Sequence, residues 1–219
     1  MKEDFLRAPR GVAEYTADAL RLLGILAVIA AFIWSTPTDA GILALALPAM
    51  MVPRVLGMRA WVDIAVTSTV LVAAGSNVFD LYRSIAGWDL VVHFVCTGAI
   101  AAVGYLVLAR ARVVPGQDAA AFAKRTAIVI TTLLGLAASA LWEMIEWAGR
   151  TFITADIFVT YQDTIADMAA GGLGALVTGC IVARVPLERP RGRAASDGPE
   201  SLQPRTRTVR PSNDTRSPS

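Results

Sequence analysis

The chain has 219 residues, 55% of them hydrophobic and 17% charged, with a formal net charge of +2. Ordinary soluble domains hold about 45–50% apolar residues. Here the surplus is gathered in blocks, with a mean hydropathy of +0.53, which excludes a plain soluble domain and indicates a polytopic membrane protein with the lipid bilayer as its main partner. No nucleic-acid partner is expected.

In chain order, residues 1–19 form a polar N-terminal segment. Glu3, Asp4, Glu14 and Asp18 stand among its basic residues. That is unlike the short basic start of a cleavable signal peptide, so the first apolar run is expected to stay as a span. Six helices are expected, over about 20–34, 40–52, 61–79, 89–109, 125–147 and 163–183. No block shows the alternation of a strand, and backbone groups in lipid must be satisfied internally, so the fold class is all-α. Residues 35–39 read as a tight turn with Pro37 as breaker, and Pro48 and Pro53 make the second span short. Cys96 and Cys180 fall inside spans and read as small packing residues, not as a disulfide.

Basic residues set the direction. Lys2, Arg7, Arg10 and Arg21 precede or open the first span. Arg54 and Arg59 separate the second and third, and Arg110, Arg112, Lys124 and Arg125 the fourth and fifth. Of the 20 Lys and Arg residues, the alternate loops hold only Arg83 and Arg150. The positive-inside rule therefore places both termini in the cytoplasm. The six-helix domain is expected over 20–184. Residues 185–219, rich in Arg, Pro and Ser, read as a disordered basic cytoplasmic tail.

The informative feature is a cluster of ionisable residues at the opposite side. Asp80 ends the third span and Asp89 opens the fourth, with His93, the sole histidine, one turn deeper on the same face. Glu143 and Glu146 end the fifth, and Asp163 and Asp167 begin the sixth. Charges inside hydrocarbon cost several kcal/mol by most estimates, so they are rare and usually functional. The spacing predicts an outer ring of Asp89, Glu146 and Asp163 and an inner ring of His93, Glu143 and Asp167, about 6 Å deeper. Plainer readings compete: Asp89 and Asp163 as helix N-caps, Asp80 as a solvated loop residue, Glu146 as an interfacial acid, and His93 and Asp167 as a satisfied contact between helices. Glu143 and Glu146 stand at a helix C-terminus, where the macrodipole disfavours negative charge. The six carboxylates exceed the two arginines and one histidine beside them. The balance calls for protons or a cation, and carboxylates with one imidazole suit Mg, Mn, Fe or Zn. Candidate metal ligands are His93, Glu143 and Asp167. Catalytic candidates are those three with Asp89, Glu146 and Asp163.

Trp88, Trp142, Trp147, Tyr82 and Tyr161 fall at the same side. They read as an interfacial belt or as brackets for a lipid headgroup or isoprenoid chain. Gly98, Gly104, Gly171, Gly172, Gly174 and Gly179 allow close approach of the fourth and sixth helices to their neighbours. Asp63 reads as a lone interfacial acid at the cytoplasmic end of the third.

Three blocks carry a family resemblance: Trp88 to Phe94 (WDLVVHF), Leu141 to Trp147 (LWEMIEW), and Tyr161 to Met168 (YQDTIADM) followed by Gly174-Ala175. Over about residues 60–184 the chain resembles the YjdF-like family of uncharacterised bacterial inner-membrane proteins. More distantly it is similar to the VanZ-like group, departing at Leu90, where a Lys is common, and at Glu146, where a Gln is common. The resemblance implies a small helical domain in the bacterial inner membrane, a site in these blocks and, through the second group, a link to the cell envelope. It brings no reaction.

Three functions fit the pattern. The first is an enzyme or binding protein for an outer-leaflet lipid or envelope precursor, with a cation on Glu143, Asp167 and His93 gripping a phosphate or activating water, and Glu146 or Asp163 as acid or base. The second is a cation or proton transporter, disfavoured because the inner halves of the fourth and sixth helices carry no ionisable residue before Arg110 and Arg184. The third is a structural or accessory protein whose polar network specifies helix packing.

Overall fold

The computed structural model describes residues 5–153, 157 and 159–190. Residues 1–4 and most of the expected tail, from 191 onward, lie outside the described residues. The described chain forms α1 (Val12–Trp34), α2 (Pro37–Val55), α3 (Ala60–Val78), the short α4 (Leu81–Ser84), α5 (Trp88–Arg110), α6 (Lys124–Phe152) and α7 (Tyr161–Val182). The six longer helices are each long and apolar enough to cross a membrane. Among the described residues no strand forms, only an isolated bridge between Met58 and Glu188.

Helix ends differ from the expected spans for identifiable reasons. α1 begins at Val12 because its polar first turns have partners: the Arg10 amide donates to Glu14 at 2.8 Å, and Arg7 pairs with Glu14 at 2.7 Å. The turn between α1 and α2 shrinks to Ser35-Thr36. Thr36 and Asp39 form a capping box, and Pro37 starts the helix instead of breaking the chain, since a first-turn residue needs no N–H. The helix then runs through both Pro48 and Pro53. α6 continues to Phe152, so Glu143 and Glu146 lie inside it and not in its last turn.

The helices form two sets of three. α1, α2 and α3 pack on one another, as do α5, α6 and α7, and α3 joins the sets by lying on α5. The join is apolar: Val62 and Val66 of α3 share a core with Ala102, Tyr105 and Leu106 of α5 and with Val182 of α7. The described chain ends meet at one end of the bundle, where Arg189 pairs with Glu14 at 3.0 Å. Packing persists past α7, because Leu187 is buried, its carbonyl accepts from the Arg59 amide at 2.8 Å, and Glu188 pairs with Arg110 at 2.6 Å. This end holds the basic residues.

Asp63 corrects its expected reading. It is 3% exposed and ion-paired to Arg21, itself buried on α1. Thr67 donates to Asp63 at 3.2 Å, while Arg21 also reaches Asp18 at 3.0 Å and the Met50 carbonyl at 3.0 Å. Arg54 pairs with Asp18. Asp63 is thus one half of a closed network tying α1, α2 and α3 together.

The second set is closer-packed. The buried residues of α6 recur every fourth position: Ala127, Thr131, Gly135, Ser139 and Glu143. His93, Thr97, Ala101 and Tyr105 do the same on α5, and Asp167, Gly171, Ala175 and Gly179 on α7. Such rows are the i±4 ridges through which helices interlock. A methyl group at Gly174 would run into the Phe94 carbonyl, and one at Gly135 into the Ala175 side chain. Only glycine allows backbones this near.

Candidate functional site

The three ridges bring the predicted rings together at the end of the bundle away from the chain ends. His93 is 6% exposed, Glu143 5% and Asp167 1%. Asp89, Glu146 and Asp163 are half-buried around them. The predicted two-ring order is thus reproduced as buried against half-buried, with one residue of each ring on each of α5, α6 and α7. Asp80 stands apart. It is exposed on the left-handed residue that precedes α4 and faces Arg83 at 3.9 Å.

Neither Asp89 nor Asp163 is an N-cap. Gly87 takes that place for α5 with a φ of 75°, and Thr160 for α7, accepting from the Asp163 amide at 3.2 Å. Both acids lie in a first turn, where the helix dipole favours them. Glu143 and Glu146 gain no such help, and because α6 runs on to Phe152 the dipole is not what opposes them. Their surroundings differ. Glu146 accepts from the Trp142 indole at 2.8 Å. Glu143 Oε1 has no hydrogen-bond donor and lies 3.7 Å from His93 Nδ1.

His93 lies between two acids. Its Nε2 is 3.4 Å from Asp89 Oδ1, one turn up its own helix, and its Nδ1 faces Glu143 across the interface. Two sets of donor atoms gather within 4.8 Å of one another: Asp89, His93 and Asp167, and His93, Glu143 and Glu146. Asp167 Oδ2 is a second buried oxygen without a partner. The anticipated set His93, Glu143 and Asp167 is therefore split between two groups that share the imidazole.

Beneath the inner ring lies a polar level that the residue-by-residue reading missed. A methyl at Gly171 would come within 2.6 Å of Ser139 Oγ and 2.9 Å of Thr97 Oγ1, so both hydroxyls border that glycine. Ser139 Oγ is buried and unpartnered. The signal was present: Thr97 follows His93 by four, and Ser139 precedes Glu143 by four. Below this level Ala175, Ala101 and Gly135 close the seam.

Among the flanking aromatics, Trp88 donates to Ser76 Oγ at 2.9 Å and Tyr82 to the Ala73 carbonyl at 3.1 Å, which ties the site end of α3 to α4 and α5. Trp147 packs edge-on against Phe152 at 6.0 Å, and Tyr161 is exposed. Cys96 and Cys180 are free thiols.

Residues 19–187 match the model of a family described as "Predicted membrane protein (DUF2238)". That agrees with the resemblance to YjdF-like membrane proteins, while the likeness to the VanZ-like group is not shown. Neither the curated proteins nor the solved structures give a match.

Proposed function

The chain belongs to the DUF2238 family of predicted membrane proteins, and on that premise we propose that it is a cation-dependent binding protein for an anionic lipid or envelope precursor. In this reading a divalent cation of the Mg, Mn, Fe or Zn class is held at His93, either with Asp89 and Asp167 or with Glu143 and Glu146, the two groups between which the expected ligands His93, Glu143 and Asp167 divide, and the cation grips a phosphate headgroup. Asp163, half-buried at the mouth, and whichever of Asp89 and Glu146 does not hold the cation are the groups that a bound headgroup would meet, and they are the acid or base of any reaction carried out there. The distribution of basic residues turns the site away from the cytoplasm and toward the outer leaflet of a bacterial inner membrane.

One observation carries the reading: Glu143 and Asp167, on two different helices, each bury a carboxylate oxygen with no donor. A purely structural network would satisfy such groups, because leaving one unpaired costs about 1–3 kcal/mol, and more when it is charged. A metal ion supplies what they lack. Passage to the other side of the membrane is less well supported, since the small residues packed at Gly135 and Ala175 lie in the way.

The test is protein purified from membranes in mild detergent, with metal content and co-purifying lipid measured together. A divalent ion and an anionic lipid that are both lost in the Glu143→Gln/Asp167→Asn double variant are expected. Wild-type protein without metal, or a variant that retains both, overturns the reading.

A further inference from the structure

We infer that the cluster is built for two cations, one on each side of the His93 ring. This rests on the cation-binding reading above and makes it more specific. The two groups of donors have only His93 in common, and its two nitrogens face different acids: Nε2 toward Asp89, Nδ1 toward Glu143. Each group also contains one unpartnered carboxylate oxygen on a side chain at least nine-tenths buried. It is Asp167 Oδ2 in the group with Asp89 and Glu143 Oε1 in the group with Glu146. A single ion placed in either group leaves the other group's bare oxygen where it is.

Charge leads to the same count. The cluster gathers five carboxylates, on Asp89, Glu143, Glu146, Asp163 and Asp167, around one imidazole. One divalent ion leaves an excess of three negative charges in a poorly solvated place, and that field weakens the ion's grip on an anionic ligand. A second ion lowers the excess to one with the imidazole neutral, a state in which one ring nitrogen ligates one ion, the other nitrogen keeps its proton, and the second ion rests on the two carboxylates of its own group. The pocket then accepts a phosphoryl oxygen, and two ions held by carboxylates are an established means of gripping a phosphoryl group from two sides. The ligand class that follows is a phosphate ester, whether a lipid headgroup or a soluble phosphate.

The probe is Mn²⁺ alone. Full-length protein in detergent is stripped with chelator and titrated, with free Mn²⁺ followed by its EPR signal. Two Mn²⁺ per chain are expected for wild type, and one each for Glu146→Gln and Asp89→Asn, half-buried positions where the amide is tolerated. One Mn²⁺ per wild-type chain overturns the two-ion arrangement and leaves the single-cation reading standing. No Mn²⁺ overturns both. The ligand source is separated by adding inorganic phosphate or vesicles of anionic phospholipid to the Mn²⁺-loaded protein. Tighter Mn²⁺ retention with either one supports the inference and identifies the source, and retention unchanged by both removes the phosphate ester.

Discussion

Two groups of buried ionisable side chains sit at opposite ends of this bundle and deal with burial in opposite ways. At the basic end Arg21 and Asp63 are both nearly inaccessible, but each faces an opposite charge, and Asp18, Arg54, Thr67 and the Met50 carbonyl complete their hydrogen bonding. At the other end five acids meet one histidine, and two oxygens are left bare. Burial of charge is common to both, so it does not separate structure from function. In the proposed reading the mismatch does: the network around Arg21 and Asp63 is closed, whereas the other keeps two carboxylate oxygens for a cation.

The largest expected effect tests the closed network. Asp63→Ala leaves Arg21 buried without its main partner and is expected to cost about 3–5 kcal/mol, read as thermal unfolding in detergent. The Arg21→Met/Asp63→Leu double variant should recover most of the loss. An Asp63→Ala protein as stable as wild type would remove the structural role of this end.

Next comes the packing that brings the open cluster together. Gly174→Ala forces a methyl group against the α5 backbone at Phe94 and is expected to cost about 1–3 kcal/mol. Gly41→Ala in α2, with open space around it, is expected to gain about 0.5–1 kcal/mol. The contrast is lost if both substitutions behave alike.

The open cluster predicts a reversed sign. In chelator, Glu143→Gln or Asp167→Asn removes a buried carboxylate one of whose oxygens has no donor, so stability should hold or rise by up to about 1 kcal/mol. A loss as large as that of Asp63→Ala would make the two ends equivalent.

The smallest effect lies just outside the spans. Burial, with Asp89 and Glu146 nearby, pushes the Tyr82 phenol above its ordinary value. The neutral phenol is thus favoured in the folded state. Its contribution is complete below the unfolded value of about 10 and is lost as pH rises above it. Tyr82→Phe should flatten the alkaline fall in melting temperature, and an unchanged alkaline limb would count against burial as its cause.

How much of this was readable from the sequence follows from the range of each interaction. The two rings were legible because Asp89 and His93, Glu143 and Glu146, and Asp163 and Asp167 are local pairs whose helical spacing sets their relative depth. The split into two donor groups was not, since which acid each imidazole nitrogen faces depends on how α6 and α7 are rotated against α5. From the sequence Arg21 reads as a topology signal and Asp63 as an interfacial acid, because they stand 42 positions apart on α1 and α3 with the whole of α2 between them. The start of α1 was missed because hydropathy marks where lipid begins, whereas Glu14 and Asp18 carry the helix beyond it.

The central claim, that the open end is open in order to hold cations, is tested most directly by the melting temperature of wild type and of the Glu143→Gln/Asp167→Asn variant, each with Mn²⁺ and with chelator. The wild type should melt higher with Mn²⁺, each bound ion adding about 2.7 kcal/mol of stability at one hundred times its dissociation constant, and the variant should not respond. A wild type indifferent to Mn²⁺, or a variant stabilised equally, would contradict it.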